Sequence, residues 1–258
     1  MKFILMLHVR IIALGSLIFV ISCQSTSNNK LTVAVAANVQ FAMDSLVHVF
    51  EQQSGVEINV ITGSSGKLTA QIVQGAPFDV FLSADMKYPE EIYKKGIALN
   101  KPKTYAYGSL VLWTLKEDID LNPGILQDPK IERIAVANPR TAPYGISAIA
   151  YLKNLGIHEQ LEEKLIFGES ISQVNQFITS KTADLGFTAE SVIKGAKIKD
   201  KGHWIRLDPS MYPPLEQGIV LINTQNDHTI EAEAFFSFIL SSQARNILTE
   251  FGYKTEFQ

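Results

Sequence analysis

The sequence predicts an α/β fold in two lobes, each a mostly parallel sheet flanked by helices, with two crossover segments as hinge. Three observations lead there. Short apolar runs alternate with amphipathic stretches, the pattern of strands feeding helices. That alternation runs from Leu31 to Ser83 and starts again at Arg133, so two units of similar size are built in turn. Two further apolar stretches, Ser109–Leu115 (SLVLWTL) and Gln217–Ile222 (QGIVLI), are placed to cross between the units.

Each element follows from its residues. Leu31–Ala36 (LTVAVA) is a continuous apolar run, as expected of a strand buried on both faces. Ala42, Leu46, Val49 and Phe50 are spaced for one face of a helix. Val56, Ile58 and Val60 alternate with polar residues and predict a second strand. Gly63-Ser64-Ser65-Gly66 then opens a helical stretch carrying Leu68, Ile72 and Val73. Ala76-Pro77 turns the chain into a third strand, Asp79–Ser83. In the second unit, strands are predicted at Arg133–Ala137, Lys164–Phe167 and Asp184–Thr188. Between them lie a turn-rich loop, Asn138–Gly145, a helix over about Ile146–Leu155, and a helix with Ile171, Val174, Phe177 and Ile178 on one face. Helices at about Ile230–Leu240 and Ser242–Phe251 complete the first lobe. The expected division is residues 31–110 plus 218–258 for lobe one and 111–217 for lobe two. No sequence repeat relates the two units. Two connections make a hinge, and a hinge between lobes makes a closing cleft.

Composition bounds the function. The chain has 258 residues, 46% hydrophobic and 19% charged, with a net charge of −3. That is a folded composition with ample core and not a disordered one. Lys and Arg number 23 against 26 Asp and Glu, so there is no basic excess for a nucleic-acid partner. The single cysteine excludes an intrachain disulfide framework and a Cys-based zinc site.

That cysteine belongs to the N-terminus. Residues 1–22 read as a signal peptide, with Lys2 and Arg10 ahead of an apolar stretch, Ile11–Ile21, that is short for a membrane span. The stretch ends Val20-Ile21-Ser22-Cys23, which resembles the lipobox of bacterial lipoproteins and makes Cys23 the expected lipidation site. Residues 23–30 then form a polar tether from a membrane to the domain. Removing residues 1–22 takes away Lys2 and Arg10 and no acid, so the net charge falls from −3 to −5. The expected product is exported and acidic, and an anionic ligand must be held by local donors against the overall field.

Four strand-to-helix junctions offer such donors: Ala36-Ala37-Asn38, Gly63-Ser64-Ser65-Gly66, Ala142-Pro143-Tyr144-Gly145 and Glu169-Ser170-Ile171. Each presents free backbone N–H groups at the positive end of a helix dipole. In open α/β sheets such junctions face one crevice, and together they form an anion site without a cationic side chain. Asn38 and Ser65 are expected to add side-chain donors. Each junction also has an ordinary reading. Asn38, Ser64 and Ser65 are good N-caps, Gly63–Gly66 is a tight turn, and Tyr144 is a packed loop aromatic. A phosphate-loop reading of Gly66-Lys67 fails, because Ile61 stands where a glycine is needed and Leu68 where Ser or Thr is needed. Lys67 is then a solvated side chain.

The chain resembles the periplasmic molybdate-binding proteins of ABC importers over essentially all of residues 31–258. The resemblance is sharpest at AAN (36–38), GSSGKLTAQIVQGAPFDVFLSAD (63–85), GSLVLW (108–113), NPRTAPYG (138–145) and ADLGF (183–187). It implies a type II periplasmic-binding-protein fold and a tetrahedral dianion, molybdate or tungstate, held in the cleft. It also implies a permease partner, an extracytoplasmic location, no cofactor, and no protein ligand on the metal itself; the lipobox adds the lipid anchor, and lobe closure, which needs no subunit partner, suggests a monomer. Position by position, Ala37 and Asn38 match the first ligand segment and Ser65 the serine that donates hydroxyl and amide. Tyr144 matches the residue after proline whose amide, or in the asparagine branch also its hydroxyl, points at the ion, and Ile171 an aliphatic position that offers its amide. Some members bring a tyrosine after the LGF-type strand, where this chain has Ala189. That departure removes one donor.

The chemistry of the ion suits such a site. Molybdate and tungstate are fully ionised at neutral pH and offer only acceptors. A protonated phosphate would need an acceptor, and an unmet buried proton costs about 1–3 kcal/mol. Sulfate is also a pure acceptor, so cavity size must reject it. Sulfate or phosphate binding on the same fold is therefore the alternative ligand class. An exported hydrolase with Ser65 as nucleophile is the enzymatic alternative, but no G-x-S-x-G elbow surrounds Ser65. His48, His158, His203 and His228 lie outside the junction loops, and His48 is predicted to be solvent-exposed. Asp79 and Asp85 flank a strand and suit turn or capping roles better than paired acid–base chemistry. Trp113 and Trp204 read as packing residues, with Trp113 a reporter of closure if its segment crosses between the lobes.

Overall fold

A computed structural model describes residues 30–195, 201–224 and 228–255. The leader (1–22), Cys23 and the tether as far as residue 29 lie outside the described residues. No helix among the described residues is long and apolar enough to cross a membrane.

The first lobe begins with β1 (Leu31–Ala36), α1 (Gln40–Ser54), β2 (Ile58–Gly63), α2 (Ser65–Val73), β3 (Val80–Ser83), α3 (Lys87–Lys94) and β4 (Lys103–Gly108). A single 3₁₀ turn, Ala37–Val39, joins β1 to α1. The second lobe runs through β5 (Leu110–Thr114), β6 (Ile134–Ala137), α4 (Pro143–Asn154), α5 (His158–Leu161), β7 (Leu165–Gly168), α6 (Ile171–Thr179), β8 (Leu185–Ala189), α7 (Glu190–Lys194) and β9 (His203–Arg206). The chain then returns to the first sheet through β10 (Leu215–Leu221) and ends with α8 (Thr229–Ile239) and α9 (Ser242–Glu250).

Both sheets have five strands and one plan. The first is ordered β2-β1-β3-β10-β4 and the second β7-β6-β8-β5-β9. In each, the first three strands are parallel, the fourth runs against them, and the fifth is antiparallel to the fourth. The hydrophobic runs explain the centre of each sheet. Val33, Val35, Val80 and Leu82 face α1, α8 and α9, meeting Leu46, Phe235 and Leu248. Ala34, Phe81 and Val220 face the other side, against Leu68, Ile72 and Ile92. A strand covered on both faces must be apolar throughout, as β1 is. Helix α1 ends at Gly55, whose φ of 70° closes the last turn in the left-handed region.

The crossings fall where the strand pairings change. Gly108 pairs with Leu215 in the first sheet, and Leu110 pairs with Ala189 in the second, so one residue separates the sheets. The return runs through residues 207–214, between β9 and β10. Gln217–Ile222, expected to cross, instead lies in and just beyond β10, with Gly218–Leu221 paired to β3. The real crossing contains Pro209, Pro213 and Pro214 and has no apolar run to mark it. Trp113 is likewise displaced from the hinge. It is fully buried in the second sheet's core, and its indole N–H donates to the Lys201 carbonyl at 2.9 Å. It is a packing residue remote from the crossing.

The carboxyl ends of β1, β2 and β3 face those of β6 and β7 across a closed cleft. Ala36, Ala37 and Ala84 of the first lobe pack into the same apolar cluster as Tyr144, Ile171 and Ala189 of the second. Small side chains at this seam let the backbones approach closely.

Candidate functional site

One small cavity at this seam is lined by Ala36, Ala37, Asn38, Gly63, Ser64, Ser65, Ala84, Ala142, Pro143, Tyr144 and Ile171. All five residues expected from the sequence, Ala37, Asn38, Ser65, Tyr144 and Ile171, lie on its wall, with contributions from both lobes. Its volume is about 10 Å³, far below the roughly 300–1,000 Å³ of sites for drug-sized ligands. No charged side chain lines it.

The backbone supplies the polarity. Ala37 and Asn38 open the 3₁₀ turn that leads into α1, Ser65 is the first residue of α2, Tyr144 the second of α4, and Ile171 the first of α6. N–H groups in a first helical turn have no partner within the helix. At all four starts the residue before the helix makes no side-chain cap bond. By contrast, Ser241 caps α9 by accepting from the Ala244 N–H. The ordinary reading of Ser64 as a cap is therefore not realised, and its hydroxyl is buried with no hydrogen-bond partner. Pro143, at the first position of α4, has no N–H to leave unsatisfied, so the Tyr144 amide is the outermost donor of that helix.

The two polar side chains differ in what they have left to give. The Ser65 hydroxyl oxygen accepts the Ala84 N–H at 3.0 Å. Its own proton remains to be donated, and the residue is 1% exposed on the cavity wall. The Asn38 carboxamide is already committed. Its Nδ2 donates to Gln217 Oε1 at 2.7 Å and to Tyr253 Oη at 2.8 Å. Gln217 is held in that orientation because its Nε2 donates to the carbonyls of Ala84 and Leu215. The expected side-chain donor at Asn38 is thus spent on the protein, and Asn38 has its backbone N–H to offer.

Tyr144 is 2% exposed. Burial raises its phenol well above the usual tyrosine range, the neighbouring hydroxyls of Tyr253, Tyr212 and Tyr105 push the same way, and the Asn38 side chain counters them. The phenol stays neutral at any physiological pH.

Contacts across the cleft hold the lobes together. Gly66 N–H donates to the Thr141 carbonyl at 2.8 Å. The Ser191 hydroxyl donates to the Asn38 carbonyl at 2.6 Å, and Ser172 to Gln40 Oε1 at 3.2 Å. Lys67, expected to be free in solvent, pairs with Glu169 at the cleft mouth with about half of each side chain still exposed. His48 is exposed, as expected, and contacts Gln52. Asp85 accepts from the Tyr88 N–H in the first turn of α3, a capping role. Asp79 accepts from the Thr32 N–H of β1 and from the Thr224 hydroxyl and faces the His228 ring at 3.7 Å, which ties β1 to the segment after β10. Among the described residues no cluster of three or more His, Cys, Asp or Glu is placed to hold a metal ion.

Sequence reasoning did not single out the support behind Asn38. Gln217, Tyr253 and Ser191 come from β10, the C-terminal segment and α7. Gln217 alone left a trace, as the polar first residue of the apolar stretch expected to cross. Ser64 was visible as half of the double serine but was read as a cap.

Residues 31–254 match the family model for bacterial extracellular solute-binding proteins. The chain is 36% identical to the molybdate-binding protein ModA of Rhodobacter capsulatus, over 88% of this chain and 89% of that protein. It is 34% identical to the molybdate-binding protein ModA of Azotobacter vinelandii, over 94% and 96%. The structure of the Azotobacter vinelandii periplasmic molybdate-binding protein superposes with a TM-score of 0.84, covering 88% of this chain and all of that one.

Proposed function

The chain belongs to the bacterial extracellular solute-binding protein family, and from that premise we propose that it binds molybdate outside the cytoplasm for delivery to the permease of an ABC importer. One observation carries the reading: four helix N-termini from two lobes converge on a small cavity that contains donors and no charged side chain. Molybdate offers four acceptor oxygens and no donor, the complement of such a wall. Each helix terminus stabilises an anion by about 0.3–1 kcal/mol when exposed and up to about 2 kcal/mol when partly buried.

In this reading the backbone amides of Ala37, Asn38, Ser65, Tyr144 and Ile171 and the Ser65 hydroxyl hold the oxyanion. Molybdenum is reached only through its oxygens. Tungstate has the same charge and shape and binds in the same way. Sulfate is smaller, reaches fewer donors at once, and is rejected by size. A ligand touching both lobes favours the closed cleft, and the permease reads that closed form. The lobes divide where the strand pairing changes, at residue 109 and over residues 207–214. The protein works as a monomer without cofactor or nucleic-acid partner, tethered through a lipid on Cys23. Relatives that bind solutes support a carrier and not an enzyme.

Thermal unfolding of residues 24–258 with molybdate, tungstate, sulfate and phosphate tests this. Ligand at 100 times its dissociation constant adds about 2.7 kcal/mol, a shift of roughly 5–11 °C at this size. Molybdate and tungstate should give that shift and sulfate none. A shift with sulfate or phosphate instead would overturn the ligand assignment.

A further inference from the structure

Tyr144 reaches further than its amide. Its ring passes from the cavity wall to the hinge, where its hydroxyl lies against Gly108. A Cβ built on Gly108 would stand 2.2 Å from Tyr144 Oη, 3.2 Å from Tyr144 Cζ and 3.1 Å from Gln217 Nε2. Gly108 is the last residue of β4, and the chain enters the second sheet two residues later. Its φ is not positive, so the backbone does not demand glycine there. The space taken by the tyrosine hydroxyl does.

The same point touches both crossings and the cavity. Gln217 bonds the Leu215 carbonyl at the end of the return crossing and the Asn38 carboxamide behind the cavity. Tyr212, from the return crossing itself, accepts the Leu110 N–H at 3.1 Å and so ties one crossing to the other. Tyr144 arrives from the second lobe, whereas Gly108 and Gln217 belong to strands of the first sheet. Their contact therefore joins the two lobes directly beside the crossings.

We propose that Tyr144 is a positioning residue that sets the closed angle of the hinge: its backbone amide faces the oxyanion, and its hydroxyl seats on Gly108, so that binding and closure are joined through one side chain. This rests on the ligand reading above. A side chain at position 108 would hold the lobes apart and lower the population of the binding-competent form, and apparent affinity falls with that population.

The test is a rescue. Molybdate affinity, release rate and ligand-induced change in radius of gyration are measured for the unaltered mature chain, Gly108→Ala, Tyr144→Phe and the double variant. Gly108→Ala should weaken binding at least about tenfold, with faster release and less compaction. Deleting the hydroxyl removes the 2.2 Å clash and leaves contacts of 3.1 and 3.2 Å to Gln217 Nε2 and the ring, so the double variant should bind more tightly than Gly108→Ala and approach Tyr144→Phe. Gly108→Ala binding like the unaltered chain would overturn the proposal, and so would a double variant no tighter than Gly108→Ala. Tyr144→Leu, which keeps the amide and loses the ring, reads the same claim without altering Gly108. It should lose ligand-induced compaction, and normal compaction with normal release would overturn the proposal. Failure of the unaltered chain to bind molybdate would strike the ligand reading instead.

Discussion

Replacing Ser65 by alanine separates the site's two layers. The substitution keeps the backbone N–H at the start of α2 and removes a hydroxyl that is 1% exposed on the cavity wall. That hydroxyl accepts from Ala84 N–H at 3.0 Å, so its proton is the one left for a ligand. Losing a hydrogen bond to a charged group costs about 1.5–3 kcal/mol, which is roughly a 10- to 150-fold rise in the molybdate dissociation constant. A second cost is independent of ligand. Ala84 N–H loses its acceptor in a buried place, which destabilises the empty protein by about 1–3 kcal/mol, or roughly 2–12 °C in unfolding temperature. Calorimetric titration reads the first effect and thermal unfolding of the ligand-free protein the second. An unchanged dissociation constant beside a lowered unfolding temperature would make Ser65 a scaffold residue and refute the assignment of its proton.

Three other outcomes follow from contacts away from the ion. Gly66→Ala places a Cβ 3.0 Å from the Thr141 backbone across the cleft and strains the Gly66–Thr141 hydrogen bond; losing that bond weakens binding about 2- to 12-fold by titration. Lys67→Ala removes a half-exposed ion pair at the cleft mouth, so affinity falls less than about fivefold at low salt and the difference vanishes near 1 M. Asp184 is held below the usual carboxylate range: burial opposes this, but the Lys116 ammonium and the N–H groups of Arg133 and Glu132 outweigh it. A lowered folded value contributes stability that is present above the ordinary aspartate range and lost as pH falls through the folded value. Asp184→Asn should therefore destabilise at pH 7, and its deficit in unfolding temperature should shrink below about pH 4.

The parts of the fold that the sequence revealed are those where one physical demand dominates. β1, β3 and β6 are apolar because both faces are covered, and α6 shows its buried stripe as Ile171, Val174 and Ile178. Two of the four edge strands escape the sequence reading. β4 (KTYAYG) and β9 (HWIR) have half-exposed positions, and neither alternates cleanly. Helix α3 hid behind Pro89 in its first turn and only two further buried residues, Tyr88 and Ile92. The shared strand order of the two sheets left no repeat, because order depends on pairing and apolar placement and not on residue identity.

At the cavity, the four junctions were legible because strand ends, helix starts and small residues are local signals. The fate of the Asn38 carboxamide was not. Its acceptors, Gln217 and Tyr253, lie 179 and 215 positions away, and no local pattern says that a donor is already used. The contact between Tyr144 and Gly108 is hidden for the same reason.

The most direct test of the account is a crystal structure of the protein grown with molybdate, with the molybdenum located by its anomalous scattering. The account predicts one peak in the cavity between the lobes, its oxygens within hydrogen-bond distance of the backbone nitrogens of Ala37, Asn38, Ser65, Tyr144 and Ile171 and of Ser65 Oγ, with the Asn38 carboxamide still on Gln217 and Tyr253. A peak held elsewhere by lysine or arginine side chains, or an Asn38 carboxamide turned onto the ion, would contradict it.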